Sequence, residues 1–186
     1  MYNLNQSVSS TDTCFTIAAV NITLDCNGYE INYSNTSAIG YGVYSSGFPN
    51  GTLKNCIIRQ ANSTSSSKHG IYLINNQDWA VLNNTVITNS SSSHGIYVSV
   101  CPNLNLTKNT ITTYGTSANA IRSTWGGNLT VSNNILSSYG ALGHGIYWIT
   151  AQNSTITNNT INIYQTASHG IYTTTDALRN TIANNT

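Results

Sequence analysis

Apolar residues in this chain return on a long period. His-Gly-Ile-Tyr occurs at 69–72, 94–97, 144–147 and 169–172, and the vacant step at 119–122 carries a degenerate copy, Asn-Ala-Ile-Arg. An earlier relative, Tyr-Gly-Val-Tyr, occupies 41–44. Other positions keep the same phase: Val81, Leu106, Val131 and Ile156; Val86, Ile111, Leu136 and Ile161; Tyr114, Tyr139 and Tyr164. Within each 25-residue unit the apolar positions alternate over three to five residues, and Thr, Ile, Val and Tyr favour strands. Asn-Asn and Gly recur every few residues and would interrupt a helix. The pattern predicts short strands joined by polar corners and repeated as a β-solenoid. Equivalent residues of successive coils then stack about 4.8 Å apart.

The period predicts columns. Asn84, Asn109, Asn134, Asn159 and, after a one-residue insertion, Asn185 are expected to form an inward ladder whose amides, both donors and acceptors, satisfy one another. Ile71, Ile96, Ile121, Ile146 and Ile171 are expected inward, with their Tyr neighbours outward. His69, His94, His144 and His169 form a column that Asn119 interrupts. Stacked histidines could hold a metal or act as a general base. No acid or cysteine accompanies them, so the favoured reading is a structural His at the entry to a strand, bonding a neighbouring backbone group.

The whole chain, 1–186, is expected to be one domain, with an irregular coil over 12–40 and regular coils over 41–186, six to seven in all. The last unit stops at Thr186 without an amphipathic cap. Unpaired strand edges invite further pairing, so the expected partners are flanking coils or other copies stacked end to end.

The run NITLDCNGYEI at 21–31, followed by repeated His-Gly-Ile-Tyr and Asn-Asn-Thr turns, resembles parallel β-helix repeat proteins of the pectin lyase-like superfamily. It is most similar to the carbohydrate-binding and sugar-hydrolase β-helix modules of archaeal and bacterial surface proteins. The resemblance covers roughly residues 12–186 and implies an all-β, right-handed parallel β-helix with three sheets. It implies little about function, because the fold hosts lyases, hydrolases, adhesins and stalks.

Composition narrows the function. Charged residues make up 6% of the chain and the net charge is +1, so no basic patch for nucleic acid is expected. No apolar stretch is long enough to insert in a membrane. Polarity comes instead from 28 Asn, 23 Ser and 26 Thr. The acids Asp12, Asp25, Glu30, Asp78 and Asp176 fall in separate coils, whereas polysaccharide hydrolysis needs a carboxylate pair. Arg59, Arg122 and Arg179 are isolated. The family's catalytic residues therefore map to no position; no catalytic residue, metal or cofactor is expected.

Asn-x-Ser/Thr occurs 13 times, against roughly seven by chance at this composition. Asn62, Asn89, Asn128 and Asn153 are the loop candidates for glycosylation. The four cysteines lack metal-binding spacing. Cys14 with Cys26, in one coil, is the first candidate disulfide. Cys26 with Cys56, nearly one coil apart, is the alternative, and Cys101 is expected to be a free, buried filler. These features favour a non-catalytic extracellular or cell-surface rod, stalk or filament protein. The alternatives are a glycan-binding module using the Tyr columns with Trp79, Trp125 or Trp148, and a polysaccharide-degrading enzyme.

Overall fold

In the computed structural model the described residues are 1–174 and 177–186. They form an all-parallel β-solenoid of three sheets, with eight, seven and seven strands. One coil shows the plan. Ile71–Ile74 belongs to the first sheet, Ala80–Leu82 to the second and Thr85–Thr88 to the third. A polar loop then returns the chain to Ile96–Ser99, which pairs in parallel with Ile71–Ile74.

The register is the one the sequence period demands. Ile71, Ile96, Ile121, Ile146 and Ile171 pair in succession. So do Leu53, Val81, Leu106, Val131 and Ile156 on the second sheet, and Ile58, Val86, Ile111, Leu136 and Ile161 on the third. Strand side chains alternate in direction, so each strand sends one or two apolar residues inward. These columns converge on a single core. Burying each Val, Leu or Ile there contributes about 1.5–3 kcal/mol. Volumes also match between coils: Ser123 lies between Val98 and Trp148 in the inward column, and Trp148 is fully buried.

The corners adopt the left-handed backbone region, two of them largely through Asn, while a third holds Val100, Trp125 and Thr150 there. Asn83, Lys108, Asn133 and Asn158 stack at one corner with φ of 55°, 59°, 56° and 56°; Asn103, Asn128 and Asn153 stack at another with φ of 58°, 57° and 51°. Asn adopts this region more readily than other residues with a Cβ.

The N-terminal segment is more regular than its sequence suggests. Strands begin at Tyr2–Asn3, which pairs with the second sheet, and Val8–Ser9, which pairs with the third. Coiling thus starts ahead of residue 12. Phe15 pairs with Val43 and Val43 with Ile71, so these coils are longer, and the extra residues sit in the loops between strands. The paired strands keep the same order on all three sheets.

The disulfide joins Cys26 to Cys56, with Cα atoms 4.7 Å apart. This corrects the expected Cys14–Cys26 bridge and agrees with the alternative. Cys14 precedes the first-sheet strand Phe15–Ile17, whereas Cys26 follows the second-sheet strand Thr23–Asp25. Cysteines in one coil but at different corners are separated by the core. Cys26 and Cys56 share a corner in adjacent coils, where stacking sets the distance. Cys14 and Cys101 remain free thiols, and burial pushes both up to about 11, so each stays protonated and unreactive near neutral pH.

Candidate functional site

The outer face of the first sheet gathers most of the chemistry-bearing side chains. Tyr44, Tyr72, Tyr97, Arg122, Tyr147 and Tyr172 occupy one register column. Beside it stack the histidines. The His69 and His94 rings are 4.9 Å apart and 5° from parallel; His144 and His169 are 5.2 Å apart and 2° from parallel.

Each described histidine with a following coil has the same task. His69 Nδ1 accepts the backbone N–H of His94 at 3.1 Å. His94 Nδ1 accepts that of Asn119 at 3.0 Å, and His144 Nδ1 that of His169 at 3.0 Å. Asn119, standing where a histidine would, accepts the His144 N–H through its Oδ1 at 2.8 Å. The column is therefore a ladder of side-chain acceptors for strand-entry N–H groups, which Asn and His serve equally well. Three of its histidines are shifted down from the ordinary value. Burial, helped by the Arg122 charge, brings His69 down to about 3. Burial with the neighbouring His69 and Arg122 holds His94 well below its ordinary value. His144 is lowered by burial and then by His169. With Nδ1 engaged, only Nε2 of each ring is left for other partners. Among the described residues no three His, Cys, Asp or Glu gather as a metal set would.

Arg122 departs from this pattern. Its guanidinium lies 5.2 Å from the Tyr97 ring and 5.5 Å from the Tyr147 ring, and its Nη1 is 3.2 Å from His94 Nε2. Its Nε is buried without a partner. The ion pairs among the described residues are Lys54 with Asp25 at 3.1 Å and Arg59 with Glu30 at 3.6 Å, so Arg122 has no carboxylate partner among them. Beside it opens a groove of about 360 Å³ lined by Asn119, Leu142, His144, Tyr147 and Tyr172 among others. The sequence signal for this place is the one 25-residue coil in which both His and Tyr of the motif are replaced.

The Asn ladder runs along the opposite corner. Asn84 donates its backbone N–H and Nδ2 to Asn109 Oδ1, both at 3.0 Å. Asn109 repeats this toward Asn134, Asn134 toward Asn159, and Asn159 toward Asn185. The second Nδ2 hydrogen goes to a second-sheet carbonyl, such as Val81 O for Asn109 at 2.9 Å. At its N-terminal end the ladder meets the disulfide, for Asn84 Oδ1 accepts the Cys56 N–H at 3.0 Å.

The carboxylates are used singly. Asn55 Nδ2 and the Asn27 N–H donate to Asp25, and these bonds, with Lys54, hold its carboxyl below the ordinary value. Asp78 accepts from Asn103 Nδ2 at 2.9 Å and Asp12 from Ser10 Oγ at 3.2 Å. Asp176 lies outside the described residues. Tyr114, Tyr139 and Tyr164 form an exposed stack with centroid steps of 5.0 and 4.1 Å. Trp79 and Trp148 are buried in the core and offer no surface for sugar stacking; Trp125 is exposed.

Of the glycosylation candidates, Asn89, Asn128 and Asn153 are exposed and Asn62 is half-buried. Asn62 Oδ1 accepts both the N–H and the hydroxyl of Thr64, the third residue of its own sequon. Asn128 and Asn153 sit at left-handed corners.

This stacked architecture defines a parallel β-helix. Residues 18–186 match the family of right-handed β-helix regions, and the chain belongs to that family. No curated protein matches it. Among solved structures, a protein of Parabacteroides merdae ATCC 43184, provisionally named a glycosyl hydrolase, is similar to it, with a TM-score of 0.54 at 10% identity. The likeness covers 86% of this chain and 83% of that one, and at this identity it shows the fold alone.

Proposed function

We propose that this chain is a non-catalytic structural β-helix of an extracellular or cell-surface stalk or filament, glycosylated at its corners. The observation that carries the reading is the use of its polar groups. The Asn and His ladders are spent on joining coil to coil, and each described carboxylate is committed to a local partner rather than to a second carboxylate. A glycosidase needs two carboxyl groups about 5–9.5 Å apart across the scissile bond. The Cys26–Cys56 bridge and the exposed sequons suit an oxidising compartment. In the assembled state, neighbouring coils of flanking sequence or of other copies continue the sheets.

Electron microscopy and intact mass of native material test this together with an activity screen. Rods and glycan-sized mass increments are expected, with no turnover of neutral or acidic polysaccharides. Dispersed, unglycosylated particles that cleave a polysaccharide would overturn it. A second reading, glycan binding, is favoured by one observation, the exposed Tyr114–Tyr139–Tyr164 stack. A glycan array distinguishes the two, since binding that disappears on Tyr139→Ala is expected only of the second.

A further inference from the structure

Arg122 occupies a place where the repeat calls for Tyr, three residues after Asn119 has replaced His. Neither change is needed for stacking. Asn119 supplies the acceptor that His supplies elsewhere, and Tyr fills the outer position in the coils on either side. The pair of replacements does two other things. Asn is smaller than His, which leaves room beside the guanidinium for the groove. Arg brings the one charge of the column, with no carboxylate beside it among the described residues.

Proton placement sharpens the case. His94 Nδ1 accepts the Asn119 N–H, so a neutral His94 carries its proton on Nε2. Arg122 Nη1, which can only donate, lies 3.2 Å from that Nε2. Two donors therefore face each other without an acceptor between them. His144, which lines the groove, likewise carries its proton on Nε2 when neutral, because its Nδ1 accepts the His169 N–H. The cluster is rich in donors and short of acceptors, and an oxygen anion set beside it would satisfy several at once.

We propose that Arg122, with His94 behind it, forms with the Nε2–H of His144 and the groove beside Asn119 a binding site for an oxyanion group: a carboxylate, sulfate or phosphate. The planar guanidinium, held between the Tyr97 and Tyr147 rings, presents a fixed fork suited to two anion oxygens. The tyrosines are positioning residues for that fork. The site is independent of the scaffold reading above and adds a ligand to it.

The test is an NMR titration of the 15N-histidine-labelled full chain at constant ionic strength, with sodium sulfate, sodium acetate and glucose as probes. Sulfate, acetate or both are expected to give saturable shifts at His94 and His144, while glucose leaves them unmoved. Sulfate alone would assign a tetrahedral oxyanion and acetate alone a carboxylate. Arg122→Tyr, which restores the repeat, is expected to weaken anion binding about tenfold or more with unchanged circular dichroism and melting. Arg122→Gln, close in length, gives the same loss by an independent route. Absence of a saturable shift with either anion, or anion binding undiminished in both folded variants, overturns the proposal.

Discussion

A histidine whose Nδ1 must accept a backbone N–H has to stay neutral on that nitrogen, and the cost of protonating it falls on the fold. His69 is buried and held near 3; His94 and His144 are lowered as well. The unfolded chain takes up these protons below about 6.5, while the folded chain does not until much lower pH. Protons therefore favour the unfolded state throughout that interval. Stability should be fully present above about pH 6.5 and be lost as pH falls toward 3, on the order of a few kcal/mol from His69. His69→Asn, which copies what Asn119 does two column steps away, keeps an acceptor and removes one titration. Urea unfolding at pH 7 and pH 4 should show a smaller loss in the variant than in the parent. Equal losses would mean that the His69 shift contributes nothing.

At the scale of the strand and its entry turn, the glycine of His-Gly-Ile-Tyr is set by close approach. A Cβ on Gly95 would stand 2.2 Å from Ile111 Cγ2 and 2.7 Å from Ala120 O; Gly70 and Gly145 meet Val86 and Ile161 in the same way. The coil that carries Ala120 instead of Gly has Leu136 in that column, where its neighbours have Val or Ile. Leucine lacks the γ-methyl branching at Cβ that causes the clash. Gly95→Ala is thus expected to destabilise by about 1–3 kcal/mol through overpacking, and Ile111→Leu to recover much of that in the double variant. A double-mutant cycle from chemical unfolding reads the coupling; additive losses would refute the pairing. The same coil explains what was legible in the sequence and what was not. Column, register and corner positions followed from the period, because stacking makes every coil answer to its neighbours. The Gly–branched pairing did not, because it links residues of different sheets whose proximity appears only when the coil closes; the Arg122 groove did not, because its walls include loop residues such as Leu142 whose placement the period leaves open. The Cys26 partner was misplaced for a related reason: closeness in sequence within one coil means separation across the core.

Across the whole molecule the contacts are nearest-neighbour: each strand pairs with the coil before and the coil after, so stability is a sum of coils and the interfaces between them. The 25-residue coils bind their neighbours through Asn and His side chains. In the longer N-terminal coils the Asn position is occupied by Cys26 and Cys56, and a covalent bond stands where amide bonds would. That bond closes a loop with a sequence separation of 30, for which the chain-entropy description gives about 3–4 kcal/mol. In a globular protein with one cooperative core, losing it would weaken every part alike. In a solenoid the loss should stay local. Reduction of the bridge is therefore expected to raise hydrogen exchange at Ile31 and Ile58, which the bridged coils share, while Ile111 and Leu136, two and three coils further along, keep most of their protection. Site-resolved exchange with and without reductant measures this directly, and a uniform fall in protection along the third sheet would show that the coils unfold as one unit instead.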